Sequence, residues 1–168
     1  MAKVVRTVLA DGDYHEVACA VLSDGATSPA VELLELLDQG MWPDPSAHHF
    51  PDSRQAADRS RLIAEIEYLA DHGEPLKDYD YLHQGIWEFK IGTLRVTFYD
   101  TLGDGSFTVK TGTRNDSHWA KRRFDFPEHF DEYVRLGHYF GKSEQKTRKS
   151  DLIKALVVRE EDLKHDRN

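Results

Sequence analysis

The sequence predicts an α+β fold: an antiparallel sheet of about four to five strands, with two helices from the N-terminal half packed on one face and a C-terminal helix. Three observations predict it. Apolar side chains alternate through Trp87, Phe89, Ile91 and again through Leu94, Val96, Phe98, with only Gly92 and Thr93 between the runs, which is a β-hairpin signature. Two segments of helical period precede this hairpin, each closed by a glycine at Gly40 or Gly73. A third helical segment follows Ser150.

Val4, Val5, Val8 and Leu9 can supply an edge strand. His15 to Leu22 sets Val17, Cys19 and Val21 against Glu16, Ala18 and Ala20, then meets the turn residues Ser23, Asp24 and Gly25, so it predicts a strand. Ser28 and Pro29 read as N-cap and first helical position, and Val31, Leu34 and Leu37 recur at helical spacing. Residues 41 to 51 carry three prolines and no period, and predict a loop; the adjacent His48 and His49 lack the cysteine or acid neighbours of a metal site. A second helix is capped by Asp52 or Ser53 and runs to His72, burying Leu62, Ile63, Ile66, Leu69 and Ala70. Arg54, Arg59 and Arg61 then share its wet side with Asp58, Glu65 and Glu67.

A Gly-opened two-residue turn suits type II′ geometry and fixes the hairpin register. Ile91 faces Leu94, Phe89 faces Val96 and Trp87 faces Phe98 on an apolar side; Lys90 faces Arg95 and Glu88 faces Thr97 on the other. Two opposed cations repel, so either Glu88 neutralises both or a phosphate sits between them. Phe107 and Val109 predict a third strand after the turn at Leu102 to Gly105. Alternation is lost over residues 111–131, which read as an insertion. Its Trp119, beside Lys121, Arg122 and Arg123, can stack a base or pin the loop to the core. Tyr133 to Phe140 restores a strand, with Val134, Leu136, His138 and Phe140 on one face, and Ser150 or Asp151 caps a helix whose apolar side is Ile153, Leu156, Val157 and Leu163.

At 168 residues the chain is read as one domain. No apolar run approaches bilayer length and residues 1–12 lack a signal-peptide core, while the lone Cys19 reads as core filler; the expected setting is the cytoplasm, with no membrane partner. The net charge of −8 is unevenly spread. Residues 1–105 hold 8 basic and 19 acidic side chains, residues 106–150 hold 10 and 6. A local basic segment can therefore attract phosphate inside an acidic chain.

Three stretches resemble the RelE/ParE superfamily of small bacterial toxins, in its HigB-like, phage-derived branch. They are DGATSPAVELLELL (24–37), LADHGEPLKDYDYLHQGIWEFKIGTLRVTFY (69–99) and HYFGKSEQKTRKSDLIKAL (138–156). Ser143 stands where that branch commonly carries a second lysine and Arg148 where it carries proline, and the insertion is unusual. The resemblance implies a type II toxin–antitoxin toxin: an endoribonuclease that cuts mRNA, often on the ribosome, without metal or cofactor, and that is restrained by a cognate helix-turn-helix antitoxin. It implies catalytic roles for Arg95, His138, Tyr99 and Lys142, with His138 or Tyr99 moving protons. Phosphate contacts fall to Lys90, Lys146, Arg148, Lys121, Arg122 and Arg123. The alternatives are a ParE-like inhibitor that acts by protein contact, on gyrase for example, or a phage-derived protein that keeps the fold alone.

Overall fold

A computed structural model describes residues 4–117, 119 and 122–167. Two short strands, β1 (Val8–Asp11) and β2 (Glu16–Cys19), lead into helices α1 (Pro29–Gln39) and α2 (Gln55–His72). Strands β3 (Tyr79–His83), β4 (Ile86–Ile91) and β5 (Leu94–Thr101) follow, then a ribbon of β6 (Thr113–Arg114) and β7 (Phe124–Asp125), strand β8 (Tyr133–Gly141) and helix α3 (Lys149–Lys164). The sheet has six strands in the order β1-β2-β8-β5-β4-β3, exceeding the four to five expected. It is antiparallel except at β2 and β8, which pair in parallel although both helices and strands β3 to β7 lie between them in the chain.

The central hairpin has the predicted register, from Ile91 opposite Leu94 to Trp87 opposite Phe98, with Lys90 opposite Arg95. Gly92 takes φ 60° while Thr93 keeps negative φ, as a type II′ turn requires. The extra strand, β3, pairs with β4 through a turn in which Gln84 and Gly85 take φ 47° and 81°. Both values lie in the left-handed region of a type I′ turn. Helix α1 has Ser28 as N-cap and ends on a left-handed Gly40. The apolar face of the sheet packs Trp87, Phe89, Val96 and Phe98 against Leu33, Leu37, Leu62, Ile66 and Leu69.

Several expectations are corrected. Phe107 and Val109 form no strand: the Phe107 ring lies edge-on to Tyr99 and under the Arg159 guanidinium, 3.9 Å from its centroid. Glu65 is buried, not on the wet side of α2, and accepts the backbone N–H groups of Leu76 and Asp78. Val134, Leu136, His138 and Phe140 do not share a face. A register shift between Val96 and Phe98 sets Phe98 opposite Leu136 but Arg95 opposite Phe140. Val134 and Leu136 consequently enter the core, while His138 and Phe140 stack on the other side, 5.6 Å apart.

The second face of the sheet is covered by α3. Helix α3 buries Ala155, Val158, Asp162 and Leu163, leaving the predicted Ile153 and Val157 exposed. Polar cross-links from Asp162 to the sheet set that helical phase: Tyr99 Oη donates to Asp162 Oδ2 at 2.7 Å and Arg135 Nη1 donates to it at 2.9 Å. Arg6, ahead of β1, reaches Asp162 Oδ1 at 2.9 Å. The insertion wraps the free edge of β3. Phe126 packs on Tyr79, Trp87, Phe98 and Phe130 on the apolar face. On the other face, the backbone N–H of Arg123 meets the Asp80 carboxylate at 3.1 Å.

Candidate functional site

Where α3 begins, its cover of the second sheet face is incomplete, and a cleft of about 840 Å³ remains between the sheet and the loop that leads into the helix. One wall comes from β3 and β4: Asp80, Leu82, Glu88 and Lys90. Lys142, Lys146 and Thr147 from the β8–α3 loop form the other, and Arg123 of the insertion closes an end. Backbone geometry fixes each contributor. Lys142 donates its N–H to Thr93 O at 2.8 Å, which ties its loop to the hairpin turn. Lys90 faces the cleft because strand alternation places it two positions from Glu88. Arg123 is held at the rim by its backbone bond to Asp80 and by Nη2 donating to Tyr81 O at 3.3 Å.

Glu88 is one of two buried acids of the cleft, 4% exposed beside Asp80 at 7%. Burial pushes its carboxyl up to about 7, against the opposing pull of Arg95, Lys142 and Lys90. Arg95 approaches Oε1 with Nε at 3.9 Å, beyond hydrogen-bond reach. Glu88 Oε2 and Arg95 Nε have no hydrogen-bond partner among the described residues. Asp80 lies directly opposite Glu88 across the strands. Its carboxylate is supplied with donors from the backbone of Tyr81 and Arg123, so the two acids are very unlike in environment. Burial also lowers the Lys142 ammonium below the usual lysine value; Arg95, Lys90 and Arg123 add to this and Glu88 opposes it.

Of the residues expected to act, Lys90, Lys142, Lys146 and Arg123 come together at the cleft. Arg95 lies behind Glu88, its guanidinium turned back so that Nη1 donates to Gly92 O at 2.7 Å and Leu94 O at 3.0 Å. Tyr99 is 1% exposed beneath α3, and burial and Asp162 raise its phenol well above the ordinary value. His138 Nε2 is paired with Asp151 Oδ1 at 2.9 Å, which fastens the first turn of α3 to β8. Burial lowers the imidazole while Asp151 opposes that shift. Arg148 is exposed at the start of α3 and lines the neighbouring groove with Leu152 and Ile153. Arg122 turns to the apolar side, over the Tyr79 ring at 4.8 Å and against Asp125 at 3.1 Å. Lys121 lies outside the described residues.

Sequence reasoning gave Glu88 only the part of a neutralising surface acid, and it passed over Asp80. One signal was available: the hairpin register places Glu88 between Lys90 and Arg95 on the same sheet face, so any cover over that face buries a carboxylate among cations. Missing from the sequence was the cover itself.

No protein-family model matches the chain and no curated protein matches it. No helix among the described residues is long and apolar enough to cross a membrane.

Proposed function

We propose that the chain is a toxin of the RelE/ParE type, in the HigB-like branch, acting in the cytoplasm as a metal-independent endoribonuclease on mRNA and restrained by a cognate antitoxin. The observation that carries this reading is the cleft, where a buried carboxyl titrating near neutrality lies among Lys90, Lys142, Lys146 and Arg123. Cleavage of RNA by its own 2′-hydroxyl needs a base, an acid and fixed positive charge around one phosphate. Glu88, ionised, takes the 2′-hydroxyl proton as the 2′-oxygen bonds to phosphorus. The P–O bond to the 5′-oxygen breaks, and Lys142, its ammonium already below the usual lysine value, gives that oxygen a proton. The products are a 2′,3′-cyclic phosphate and a 5′-hydroxyl. Lys90, Lys146 and Arg123 hold the crowded charge. His138 and Tyr99 secure α3 in this scheme and touch no substrate.

The reading is tested by incubating mRNA with the protein, with and without ribosomes, and mapping the new 5′ ends. Cuts bearing 5′-hydroxyls are expected, reduced at least a hundredfold by Glu88→Gln, in keeping with the size of general-base effects; intact transcripts under both conditions defeat the reading. The net charge of −8 favours one other reading, an inhibitor working by protein contact. Loss of gyrase supercoiling with RNA left whole is the result that selects it.

A further inference from the structure

The insertion exposes an aromatic side chain that does nothing for its anchoring. Phe124, Phe126 and Phe130 all turn inward, onto Tyr81, Tyr79, Trp87 and one another. Trp119, at the turn between β6 and β7, is 90% exposed, whereas Trp42 and Trp87 are 3% and 0% exposed. Of the two roles open to an aromatic beside cations, pinning the loop is already filled by the phenylalanines.

Two further observations bear on what Trp119 meets. Residues 113–125 hold four cations against two acids in a chain that is acidic overall; Arg114 and Arg122 pair with Asp116 and Asp125, so the segment keeps a net positive charge of two in its sequence. Trp119 also precedes Arg123 by four positions, and Arg123 is fixed to the cleft wall through Asp80. Four residues span at most about 14 Å. A strand stacked at about 3.4 Å per nucleotide covers that distance in about four nucleotides. The charge favours a polyanion, and the continuity with the cleft favours the same one.

We propose that Trp119 is a base-stacking subsite for single-stranded RNA, taking an unpaired nucleobase of the strand whose phosphate lies in the cleft. This rests on the nuclease reading for the identity of the strand. The indole offers a planar apolar face that any base can cover, so the subsite adds affinity without sequence preference, while Arg123 at the cleft rim meets the backbone.

Because the other two tryptophans are buried, the long-wavelength, acrylamide-quenchable emission of the full chain reports on Trp119. The probe is a 2′-O-methylated uridine oligonucleotide of about twelve nucleotides, within the site sizes usual for single-strand binders; it lacks the attacking hydroxyl and stays whole. Its control is an abasic oligonucleotide of equal length and charge. The base-bearing probe is expected to quench Trp119 and the abasic one to leave it bright. Trp119→Ala should weaken the base-bearing probe by about 5- to 100-fold, leave the abasic probe unchanged, and be largely rescued by Trp119→Phe. Equal binding of both probes with Trp119 emission untouched overturns the subsite and leaves the cleft reading standing. If neither probe binds, both fall. Quenching and tight binding in a protein that cuts no RNA support the subsite and remove the nuclease step.

Discussion

Replacing Glu88 with glutamine should make the protein more stable above neutrality while removing most of the proposed RNA cleavage. In the fold, burial moves the carboxyl from its ordinary 4.5 to about 7. The native state therefore keeps a proton that the unfolded chain releases between those values, and stability falls as pH rises through that window. A shift of about 2.5 pH units corresponds to about 3 kcal/mol, since each unit is worth about 1.36 kcal/mol. Glutamine resembles the protonated acid and cannot ionise, so it escapes that cost. Arg95 keeps its bonds to Gly92 O and Leu94 O in the variant, and its Nε is beyond hydrogen-bond reach of Glu88 to begin with. At about pH 5 the wild type and Glu88→Gln should unfold at similar urea concentrations. At about pH 8 the variant should be more stable by about 3 kcal/mol, or about 6–12 °C in Tm for a chain of this size. A wild-type stability that is flat across this range, or a variant less stable at the higher pH, would refute the claim that Glu88 is ionised at a cost inside the cleft.

Asp162→Asn should destabilise by about 1–3 kcal/mol, because it removes one of the two carboxylates that Arg135 and Arg6 share and leaves them Asp166 alone; urea unfolding measures it, and the oligonucleotide affinity of the folded fraction should stay unchanged. Asp80→Ala removes the acceptor that holds the backbone of Arg123 and Phe124, so amide exchange at those two positions should quicken by about tenfold or more, given about 1–3 kcal/mol for a lost charge-assisted bond. Unchanged exchange there would mean that the phenylalanines alone hold the insertion in place.

The sequence made the hairpin legible because alternation and a Gly-opened turn are local properties, and five predicted cross-strand pairs recur in the structure. Helix ends at Gly40 and Gly73 were legible for the same reason. Strand β3 was missed although Gln84-Gly85 is a turn pair of the right kind, because the apolar Tyr79 and Tyr81 alternate over too short a run to stand apart from the loop before them. The phase of α3 was misread because the residues it buries include Asp162, which no hydrophobic pattern selects; its acceptors answer Tyr99 and Arg135, distant in sequence. At the site, the four cations could be gathered from charge spacing and the resemblance, but the retreat of Tyr99 and His138 from solvent depends on α3 lying over the sheet. That is a tertiary fact with no local sign.

Two buried carboxyls on the same face of the sheet show why Glu88 stands out as the chemical group. Asp162 accepts from Arg6, Arg135, Tyr99 and the backbone of Val21. Although burial pushes its carboxyl up, Arg135 and Arg6 hold it below the ordinary value, so it contributes stability at neutral pH that is lost on acidification. Glu88 is equally enclosed but has one oxygen without a partner and its nearest guanidinium at 3.9 Å. The fold could have satisfied it: Arg95 Nη1 is near enough to the turn to bond two backbone carbonyls, and those bonds hold it off the carboxylate. Asp162 is saturated with donors, whereas Glu88, which would exchange a proton near neutrality in the proposed reaction, is left short of them. The opposite pH dependence expected at the two positions follows from that single difference, and it can be read in one set of unfolding curves on wild type, Glu88→Gln and Asp162→Asn.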